Sequence, residues 1–288
     1  MNIKWLKTFL VAAKWENFRK ASEELFLTQP AVTKHIKQLE SHLDSNLFER
    51  RGKTVTLTPA GYQFLPVAKE WLSKYEQGMD RFESWKQGYQ RKLTIAVAPQ
   101  IASSFLPSLL RTFIKENSDI EVLIHVSSSF EIGNEIAVGK ADLGLSRLQP
   151  SQVNLKVEKI HEEPVILVGP WGTQNWNERE ALSTHRLITY NHPDYWDSLL
   201  HEVKNHYPKV RTMTVNQMEV TKKFIAQALG VSYLPVSTVK EEVMNHTLLE
   251  IPPERVMAPM SATYLLTRIE TSEVKSFVAF FKEALLTI

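Results

Sequence analysis

Apolar residues recur three and four positions apart in the first part of the chain, which places them on single faces of helices. Three successive stripes are present: Ile3, Leu6, Phe9, Leu10 and Ala13; Phe18, Ala21 and Leu25; and Val32, Ile36, Leu39 and Leu43. Only residues 26–28 separate the second predicted helix from the third. Two short helices joined in this way are typical of a helix-turn-helix.

The third predicted helix carries polar residues opposite its apolar stripe. Thr28 is placed to cap its N-terminus, and a proline in the first turn loses no hydrogen bond there. The amide and hydroxyl groups can contact base edges in the major groove of DNA, while the lysines neutralise phosphates. This polar face consists of Gln29, Pro30, Thr33, Lys34 and Lys37. A plain amphipathic surface helix is the alternative interpretation.

A short β-hairpin is predicted after this helix. Gly52 supplies a turn between a basic pair and the alternating run 54–57. The hairpin carries Arg50, Arg51 and Lys53, which can lie along a phosphate backbone or in an A·T-rich minor groove. Pairing with a carboxylate inside the same domain is the alternative role for Arg50.

A long helix is predicted from the cap Thr58 to about Gly88. Roughly thirty helical residues extend about 45 Å, too far to be covered by a small domain alone. The heptad-like spacing of the apolar residues predicts pairing with a second copy of the chain. These residues are Leu65, Ala68, Leu72, Tyr75, Met79, Phe82 and Tyr89. Packing along the rest of the same chain is the alternative.

From about residue 91, short β-branched runs alternate with helical segments, which indicates an α/β fold. The predicted elements are strands at 93–97, 121–126 and 142–146 and helices at 105–115 and 130–138. Serines precede both helices, and Arg147 follows the third strand. Helix N-termini and a guanidinium at the carboxyl ends of strands predict a carboxylate pocket. Ordinary serine caps and a surface arginine are the alternative.

A second α/β unit is predicted between a strand at 165–168 and a returning strand at 261–267. Its own predicted strands are 187–190, 211–215 and 231–234. A last helix follows the returning strand, with the buried stripe Val274, Phe277, Val278, Phe281 and Leu285. Two chain crossings between the lobes suit hinge closure over a ligand.

Composition adds three constraints. With 288 residues and 43% hydrophobic content, the chain can bury the cores of roughly two or three domains. It has no cysteine, which excludes disulfides, thiolate metal sites and cysteine nucleophiles and fits a reducing cytosol. The net charge is only +2, but residues 1–61 hold ten Lys/Arg and six Asp/Glu. The basic charge therefore lies with the predicted DNA-binding helix.

Other classes of protein fit the sequence less well. No nucleophile elbow, phosphate loop or helical histidine pair is found, so an enzyme is not expected. His192, His201 and His206 match no metal-binding spacing. A solute-binding protein would need a secretory signal, and the apolar run before Lys14 is too short for one or for a membrane span. A DNA-binding protein that needs no ligand remains an alternative.

The first part of the chain resembles the LysR-type transcriptional regulators over about sixty residues. The similarity lies in Phe9, Ala13, Phe18, Ala21, Leu25, 28–33, Ile36, Leu39, Glu40, Leu43, 47–50 and 57–61. Ser22, Thr33 and Asp44 stand where the family usually has alanine, serine and glycine. Thr33 keeps the hydroxyl, whereas aspartate enters the left-handed conformation of a helix C-cap less easily than glycine.

The resemblance implies an α/β protein with an all-α winged helix-turn-helix at its N-terminus. The implied domains are a DNA-binding head (1–58), a linker and dimerisation helix (59–89) and a two-lobed effector domain (90–288) resembling type 2 periplasmic binding proteins. Lobe I would comprise 90–163 and 266–288, and lobe II 164–265. DNA contacts are implied for Gln29, Pro30, Thr33, Lys34 and, on the wing, Lys53.

The resemblance also implies partners and a cellular location. We expect a cytoplasmic homodimer or homotetramer that binds a double-stranded operator with dyad symmetry, as an activator or a repressor. RNA polymerase is a further candidate partner, and no membrane association, metal or cofactor is expected. A small-molecule effector would shift the geometry of the DNA-binding heads.

Parts of the effector region are similar to the citrate-responsive catabolite control regulators of Gram-positive bacteria. The similar stretches are 98–103, the serines up to Ser129, 144–147 and 189–193. This similarity implies a polycarboxylate effector, with citrate as the first candidate, held by Gln100, Ser129, Arg147 and Arg255. Ile101, Ser103 and Ser128 are neighbouring candidates for the same site. An amino acid or an aromatic acid is the alternative effector.

Overall fold

The structure is a computed structural model, and it describes residues 1–51, 54–172 and 176–285. Two compact units divide the chain, Met1–Gly88 and Tyr89–Ile288. None of the helices in the described ranges has the length and apolar character needed to span a bilayer.

Three helices, a β-hairpin and one long helix form the first unit. In chain order these are α1 (Ile3–Trp15), α2 (Phe18–Glu24), α3 (Gln29–Leu43), β1 (Phe48–Arg51), β2 (Thr54–Leu57) and α4 (Pro59–Lys86). The three predicted apolar stripes meet in one core that includes Phe9, Ala21 and Leu39. The strands β1 and β2 pair antiparallel. The predicted winged helix-turn-helix is therefore confirmed.

Capping residues explain where α3 begins and ends. The hydroxyl oxygen of Thr28 accepts a hydrogen bond from the N–H of Ala31 at 3.4 Å. Asp44 adopts the left-handed conformation with φ 47° and donates its N–H to the carbonyl of Glu40. Aspartate thus fills the C-cap position that glycine more easily occupies.

Gly61 lies at the close contact between α4 and the chain preceding β1. A Cβ atom on Gly61 would lie 2.2 Å from the carbonyl oxygen of Leu47. The Oγ1 atom of Thr58 accepts the Gly61 N–H at 3.0 Å, and its hydroxyl donates to the carbonyl of Asn46 at 2.6 Å. This junction therefore requires glycine at the end of the Leu-Thr-Pro-Ala-Gly motif.

The apolar residues with heptad-like spacing are buried or partly buried in the first half of α4 and exposed in the second half. Ala68 is fully buried and Leu65 is partly buried, and both pack on the core of the first unit. Tyr75, Met79 and Phe82 are instead 43–49% exposed. The apolar residues with heptad-like spacing therefore fall into two groups. The first half of the row packs on the core of the first unit, and the second half presents an uncovered apolar surface.

The second unit alternates strands and helices. Its elements are β3 (Arg91–Val97), α5 (Pro99–Ala102), α6 (Leu106–Glu116), β4 (Ile120–Val126), α7 (Ser129–Ala137), β5 (Leu143–Ser146), β6 (Lys156–Pro170), α8 (Glu178–Thr184), β7 (Arg186–Thr189), α9 (Trp196–His206), β8 (Arg211–Thr214), α10 (Met218–Ala226), β9 (Ser232–Pro235), α11 (Val236–Met244), β10 (Leu248–Ile251), β11 (Met260–Thr267) and α12 (Ser272–Leu285). The predicted α/β class is confirmed.

The long strand β6 joins two lobes. Its first part pairs antiparallel with β11, which continues into the parallel strands β5, β3 and β4 of one lobe. Its last part pairs with β9 and β10 of the other lobe. Separate apolar cores lie on the two sides, one around Phe113 and Phe277 and another around Trp196. The two crossings between lobes are thus neighbouring strands of one sheet.

Several elements of the second unit were not predicted from the sequence. These are α5, α8, α9, α11, β10 and the first part of β6. Residues 156–163 carry mostly charged side chains, because much of this segment is partly exposed at its sheet edge. A strand of that kind has neither the apolar run nor the clean alternation on which strand prediction depends.

Candidate nucleic-acid interface and ligand cleft

The polar face of α3 forms a concave surface on the first unit. Four of its predicted residues are exposed, and Thr33 is partly exposed. The structure adds residues that the sequence analysis missed: Trp5 of α1, and Gln38, Ser41 and His42 farther along α3, line the same surface. The predicted residues on this surface are Gln29, Pro30, Thr33, Lys34 and Lys37. The amide, hydroxyl and ammonium groups needed at a DNA groove therefore lie together.

Hydrogen bonds to neighbouring elements fix α3 in place. Thr8 donates its hydroxyl to the carbonyl of Lys4, so its oxygen accepts a hydrogen bond from Nδ1–H of His35 at 2.9 Å. On the other side, Oε1 of Glu40 accepts the N–H groups of Leu47 at 2.8 Å and Phe48 at 3.1 Å. The helix is thus tied both to α1 and to the start of the hairpin.

The hydrogen bond of Thr33 determines what its hydroxyl can offer DNA. Thr33 Oγ1–H donates to the carbonyl of Gln29 at 3.1 Å. The oxygen therefore remains available as an acceptor for a base amino group, while the methyl group can contact a thymine methyl.

The hairpin supplies less detail. Arg50 and Arg51 lie in β1, with Arg51 opposite Thr54 in the register of the two strands. Lys53 lies outside the described residues, as do the side-chain positions of the two arginines. The predicted wing contacts with DNA stay predictions.

Arg147 follows β5 at the hinge between the lobes and is 0% exposed. Its Nη1 atom donates to Oγ1 of Thr263 at 3.1 Å and to Oγ of Ser261 at 3.4 Å. Nη2 lies 3.0 Å from Oε1 of Glu163. Among the described residues, neither Nε nor Nη2 has an acceptor in hydrogen-bond geometry. The guanidinium edge that binds carboxylates in a bidentate manner is therefore unfilled by hydrogen bonds.

Polar contacts connect the two lobes beside Arg147. Gln100 of α5 donates through Nε2 to the carbonyl of Asn191 at 3.4 Å, while its own Oε1 is buried without a partner among the described residues. His192 contacts Oγ of Ser261 through Nε2 at 3.2 Å. The cleft around the guanidinium is thus closed in this structure, and its lining offers both donors and acceptors.

Burial and positive charge keep His192 neutral. Desolvation lowers the pKa of His192 well below its usual value, and nearby Arg147 lowers it further. Nδ1 accepts the N–H of Asp194 at 3.2 Å, so the proton lies on Nε2 and points to Ser261. Burial also lowers the pKa of Arg147, although Glu163 opposes this change. Arginine remains charged at neutral pH, so Arg147 is the cation of the cleft.

The other predicted ligand residues are distributed around this centre. Ser129 is buried, and its oxygen accepts the backbone N–H of Arg147 at 3.1 Å. Ile101 is fully buried in the core of lobe I. Ser128 is exposed and donates its hydroxyl to Glu131 at 2.9 Å. Ser128 and Glu131 thus form a side-chain pair, and the Ser128 side chain makes no cap hydrogen bond to α7.

Ser103 and Arg255 are the remaining predicted residues of the site. Ser103 precedes α6, as predicted, but it is the C-cap residue of the short helix α5, and the N-cap of α6 is Phe105, whose side chain makes no cap hydrogen bond. The Ser103 hydroxyl donates to the carbonyl of Pro99 at 3.0 Å. Arg255 is exposed in the segment before β11, where its backbone N–H donates to Glu178. No described contact joins the Arg255 side chain to Arg147, so its ligand role stays a prediction.

Several cleft residues were not found from the sequence. Glu163, Asn191, Ser261 and Thr263 were not proposed, and His192 was considered only as a metal ligand and rejected. Their separation along the chain leaves no local motif, although the predicted strand at 261–267 and the similar stretch 189–193 pointed to parts of their neighbourhood. Within the described ranges, no group of three or more His, Cys, Asp or Glu residues could hold a metal ion.

Comparisons with protein families cover almost the whole chain. A family described as "Bacterial regulatory helix-turn-helix protein, lysR family" matches residues 3–62. A second, described as "LysR substrate binding domain", matches residues 86–286. The two matches correspond to the unit that carries the polar surface of α3 and to the unit that carries the cleft.

Named relatives match over similar lengths. The HTH-type transcriptional regulator CitR of Bacillus subtilis (strain 168) is 42% identical over 285 residues, covering 97% of this chain and 98% of that protein. The uncharacterized regulator YxjO of the same organism is 36% identical over 284 residues, covering 98% of each chain. These alignments extend through both units.

Solved structures share the fold. CbnR in complex with its target DNA matches with a TM-score of 0.68 at 20% identity and covers 99% of this chain and 100% of its own. DarR of Vibrio fischeri in complex with DNA matches with a TM-score of 0.62 at 20% identity, covering 98% and 97%. The likeness supports the architecture of a winged helix-turn-helix followed by two α/β lobes.

Proposed function

The chain belongs to the LysR family of bacterial DNA-binding transcriptional regulators, and we propose that it responds to a small carboxylate bound between its two lobes. Citrate is the first candidate. Members of this family are regulators rather than enzymes, so a ligand here acts by changing affinity for DNA or its geometry. It can do so only by binding one arrangement of the protein more tightly than another.

One observation carries the choice of ligand class. Arg147 is a fully buried cation whose Nε and Nη2 atoms have no hydrogen-bond acceptor among the described residues. A buried donor without an acceptor costs free energy, and more so when it is charged. A carboxylate supplies two acceptor oxygens at the spacing of this edge, together with a negative charge. Small carboxylates therefore fit the cleft better than neutral ligands do.

Neighbouring side chains suit a ligand with several oxygen atoms. The buried Oε1 of Gln100 can accept a hydrogen bond from a ligand hydroxyl, and Ser129 lies against the backbone of Arg147. We therefore propose Gln100, Ser129 and Arg147 as the central ligand-binding residues. Ile101, Ser103, Ser128 and Arg255 remain predicted members of the site.

On the DNA side, we propose that α3 enters the major groove. Gln29, Pro30 and Thr33 would contact base edges, while Lys34 and Lys37 neutralise phosphates. The wing residues proposed to contact the DNA backbone are Arg50, Arg51 and Lys53. The expected target is a double-stranded operator with dyad symmetry in the bacterial cytoplasm, with RNA polymerase as a candidate partner during activation or repression.

The exposed apolar residues of α4 support self-association. Tyr75, Met79 and Phe82 follow one another at spacings of four and three and are 43–49% exposed. A second copy of the helix would cover them, as in a coiled coil. We propose a homodimer built on this helix, which assembles further into a homotetramer.

The proposed function can be tested by thermal unfolding of the full chain with candidate ligands. Citrate, isocitrate, succinate, amino acids and benzoate are compared. At about a hundred times its dissociation constant, a specific ligand adds about 2.7 kcal/mol of stability. The control is the double substitution Arg147→Gln with Glu163→Gln, which removes the cation and its partner together. It should abolish the stabilisation by ligand while leaving no unpaired buried charge.

The outcome of this screen selects among the alternatives. Stabilisation by citrate that the double variant lacks supports the proposed ligand and site. Stabilisation only by an amino acid or by benzoate keeps a carboxylate as the ligand but replaces citrate as the candidate. If none of these compounds stabilises the chain while operator binding is normal, a ligand-independent DNA-binding protein is the better description.

A further inference from the structure

Glu163 is a second buried charge at the hinge, and the contacts of its carboxylate point in two directions. The residue is 4% exposed and lies in β6, the strand shared by the lobes. One contact reaches Arg147, at the end of β5 in lobe I. The others reach Ser237, at the start of α11 in lobe II.

The contacts with Ser237 are the shorter ones. Oε2 of Glu163 accepts the backbone N–H of Ser237 at 2.6 Å, and Oε1 accepts its hydroxyl at 2.8 Å. Ser237 occupies the first turn of α11, where backbone N–H groups are unpaired within the helix and favour a negative charge. The helix thus stabilises Glu163 independently of the arginine.

Arg147 has a matching set of contacts on its own side. Nη1 donates to Thr263 and Ser261, and these bonds do not involve Glu163. The single contact between the two charges joins Nη2 to Oε1 at 3.0 Å and lacks hydrogen-bond geometry. If the pair separates, each group keeps its hydrogen bonds and loses only the neighbouring charge. An incoming carboxylate can replace that charge for Arg147.

We propose that Glu163 is the specificity-determining counter-ion of the cleft, which a ligand carboxylate displaces from Arg147 and which then remains on Ser237. This inference rests on the carboxylate site proposed above. The observed binding free energy is then the difference between pairing Arg147 with the ligand carboxylate and pairing Arg147 with Glu163. A neutral ligand cannot replace the charge of Glu163, so the cleft selects anions. Because Glu163 links β6 to α11, the exchange also alters a contact between the hinge and lobe II.

Two substitutions should change ligand affinity in opposite directions. Glu163→Gln removes the competing charge, so citrate should bind about tenfold more tightly or better. Ser237→Ala removes the hydroxyl that donates to Glu163. Glu163 depends on this donor more after the ligand displaces it from Arg147 than while it is still paired with Arg147. Citrate should then bind several-fold more weakly, because the backbone N–H of residue 237 alone holds the displaced Glu163.

Isothermal titration of the full chain with citrate, and separately with succinate, measures both dissociation constants. Two matched controls are available. Glu135 resembles Glu163 in being buried with a cation and a serine hydroxyl as partners, Lys140 and Ser127. Ser198 donates its hydroxyl to the Tyr195 carbonyl in the first turn of another lobe II helix. Glu135→Gln and Ser198→Ala should leave both dissociation constants unchanged.

The results separate this inference from the function on which it rests. Binding that depends on Arg147 but is equal or weaker in Glu163→Gln overturns the counter-ion role and leaves the carboxylate site intact. Binding seen only in Glu163→Gln supports the counter-ion role, since the resident charge then outcompetes the probe. No binding of either probe to any variant overturns both. If Glu163→Gln does not fold, unchanged affinity in Ser237→Ala still rejects the inference.

Discussion

The head and the hinge both carry cations that we propose to bind an anionic partner, but the two sets of cations lie in opposite surroundings. Lys34 and Lys37 are exposed on α3, where water and salt screen their charges. Arg147 is excluded from water and lies beside another buried charge. Removing a buried charge leaves its partner uncompensated, whereas removing an exposed one usually changes stability by less than about 0.5 kcal/mol. The head can therefore change its DNA contacts without loss of fold, and the hinge cannot change its cation so freely.

The largest expected effect tests the hinge side of this comparison. Arg147→Ala leaves Glu163 without its counter-ion, and breaking a buried ion pair costs about 3–5 kcal/mol. We expect the lower end of this range, because Ser237 still donates two hydrogen bonds to Glu163. Urea unfolding followed by tryptophan fluorescence measures the loss, since Trp196 is buried in lobe II.

The control for this prediction is the double substitution Arg147→Gln with Glu163→Gln. It replaces both charges by neutral side chains of similar size and should cost clearly less than Arg147→Ala alone. Equal losses in the two variants would show that the shape of the arginine, rather than its charge, stabilises the hinge. The difference in stability between replacing a cation of the head and replacing Arg147 would then come from packing rather than from charge.

The two sites also differ in how far the sequence predicts them. On α3, the cap Thr28, the apolar stripe and the polar face all lie within residues 28–43, so periodicity and capping identify them together. The missed members, such as Trp5 of α1 and Ser41 a full turn beyond Lys37, required either a neighbouring helix or the true length of the concave surface.

In the cleft, the sequence could identify only what adjoins a strand end. Arg147 and Ser129 follow β5 and β4, and α/β topology brings such positions together. Glu163 and Ser261 come instead from two partly polar strands whose pairing is a property of the whole domain. A glutamate among charged neighbours is normally predicted to be exposed, so nothing in the sequence indicates that Glu163 is buried.

The next largest effect is expected for Thr33, which we propose contacts a base edge. Thr33→Val keeps the branched shape and the methyl group of threonine but replaces the hydroxyl, whose oxygen remains available to accept a hydrogen bond from a base. We expect a loss of about 1–3 kcal/mol of discrimination at one base pair of each half-site, with stability unchanged. Binding to operators substituted at each position measures this change, and Thr33→Ser should retain the preference. Unchanged discrimination in Thr33→Val would exclude a base contact through the hydroxyl oxygen of Thr33.

Lys34→Ala should have the smallest effect and the most uniform one. A phosphate contact carries no sequence information, so affinity should fall by a similar factor for the operator and for unrelated duplexes. The slope of log affinity against log salt should decrease by about 0.9 for each lysine removed from a head. Lys240→Ala, an exposed lysine on α11 of the other unit, is the matched control and should leave the slope unchanged. A sequence-dependent loss in Lys34→Ala would assign the lysine to a base edge. An exposed cation of the head would then select its partner, as we propose that the buried Arg147 does.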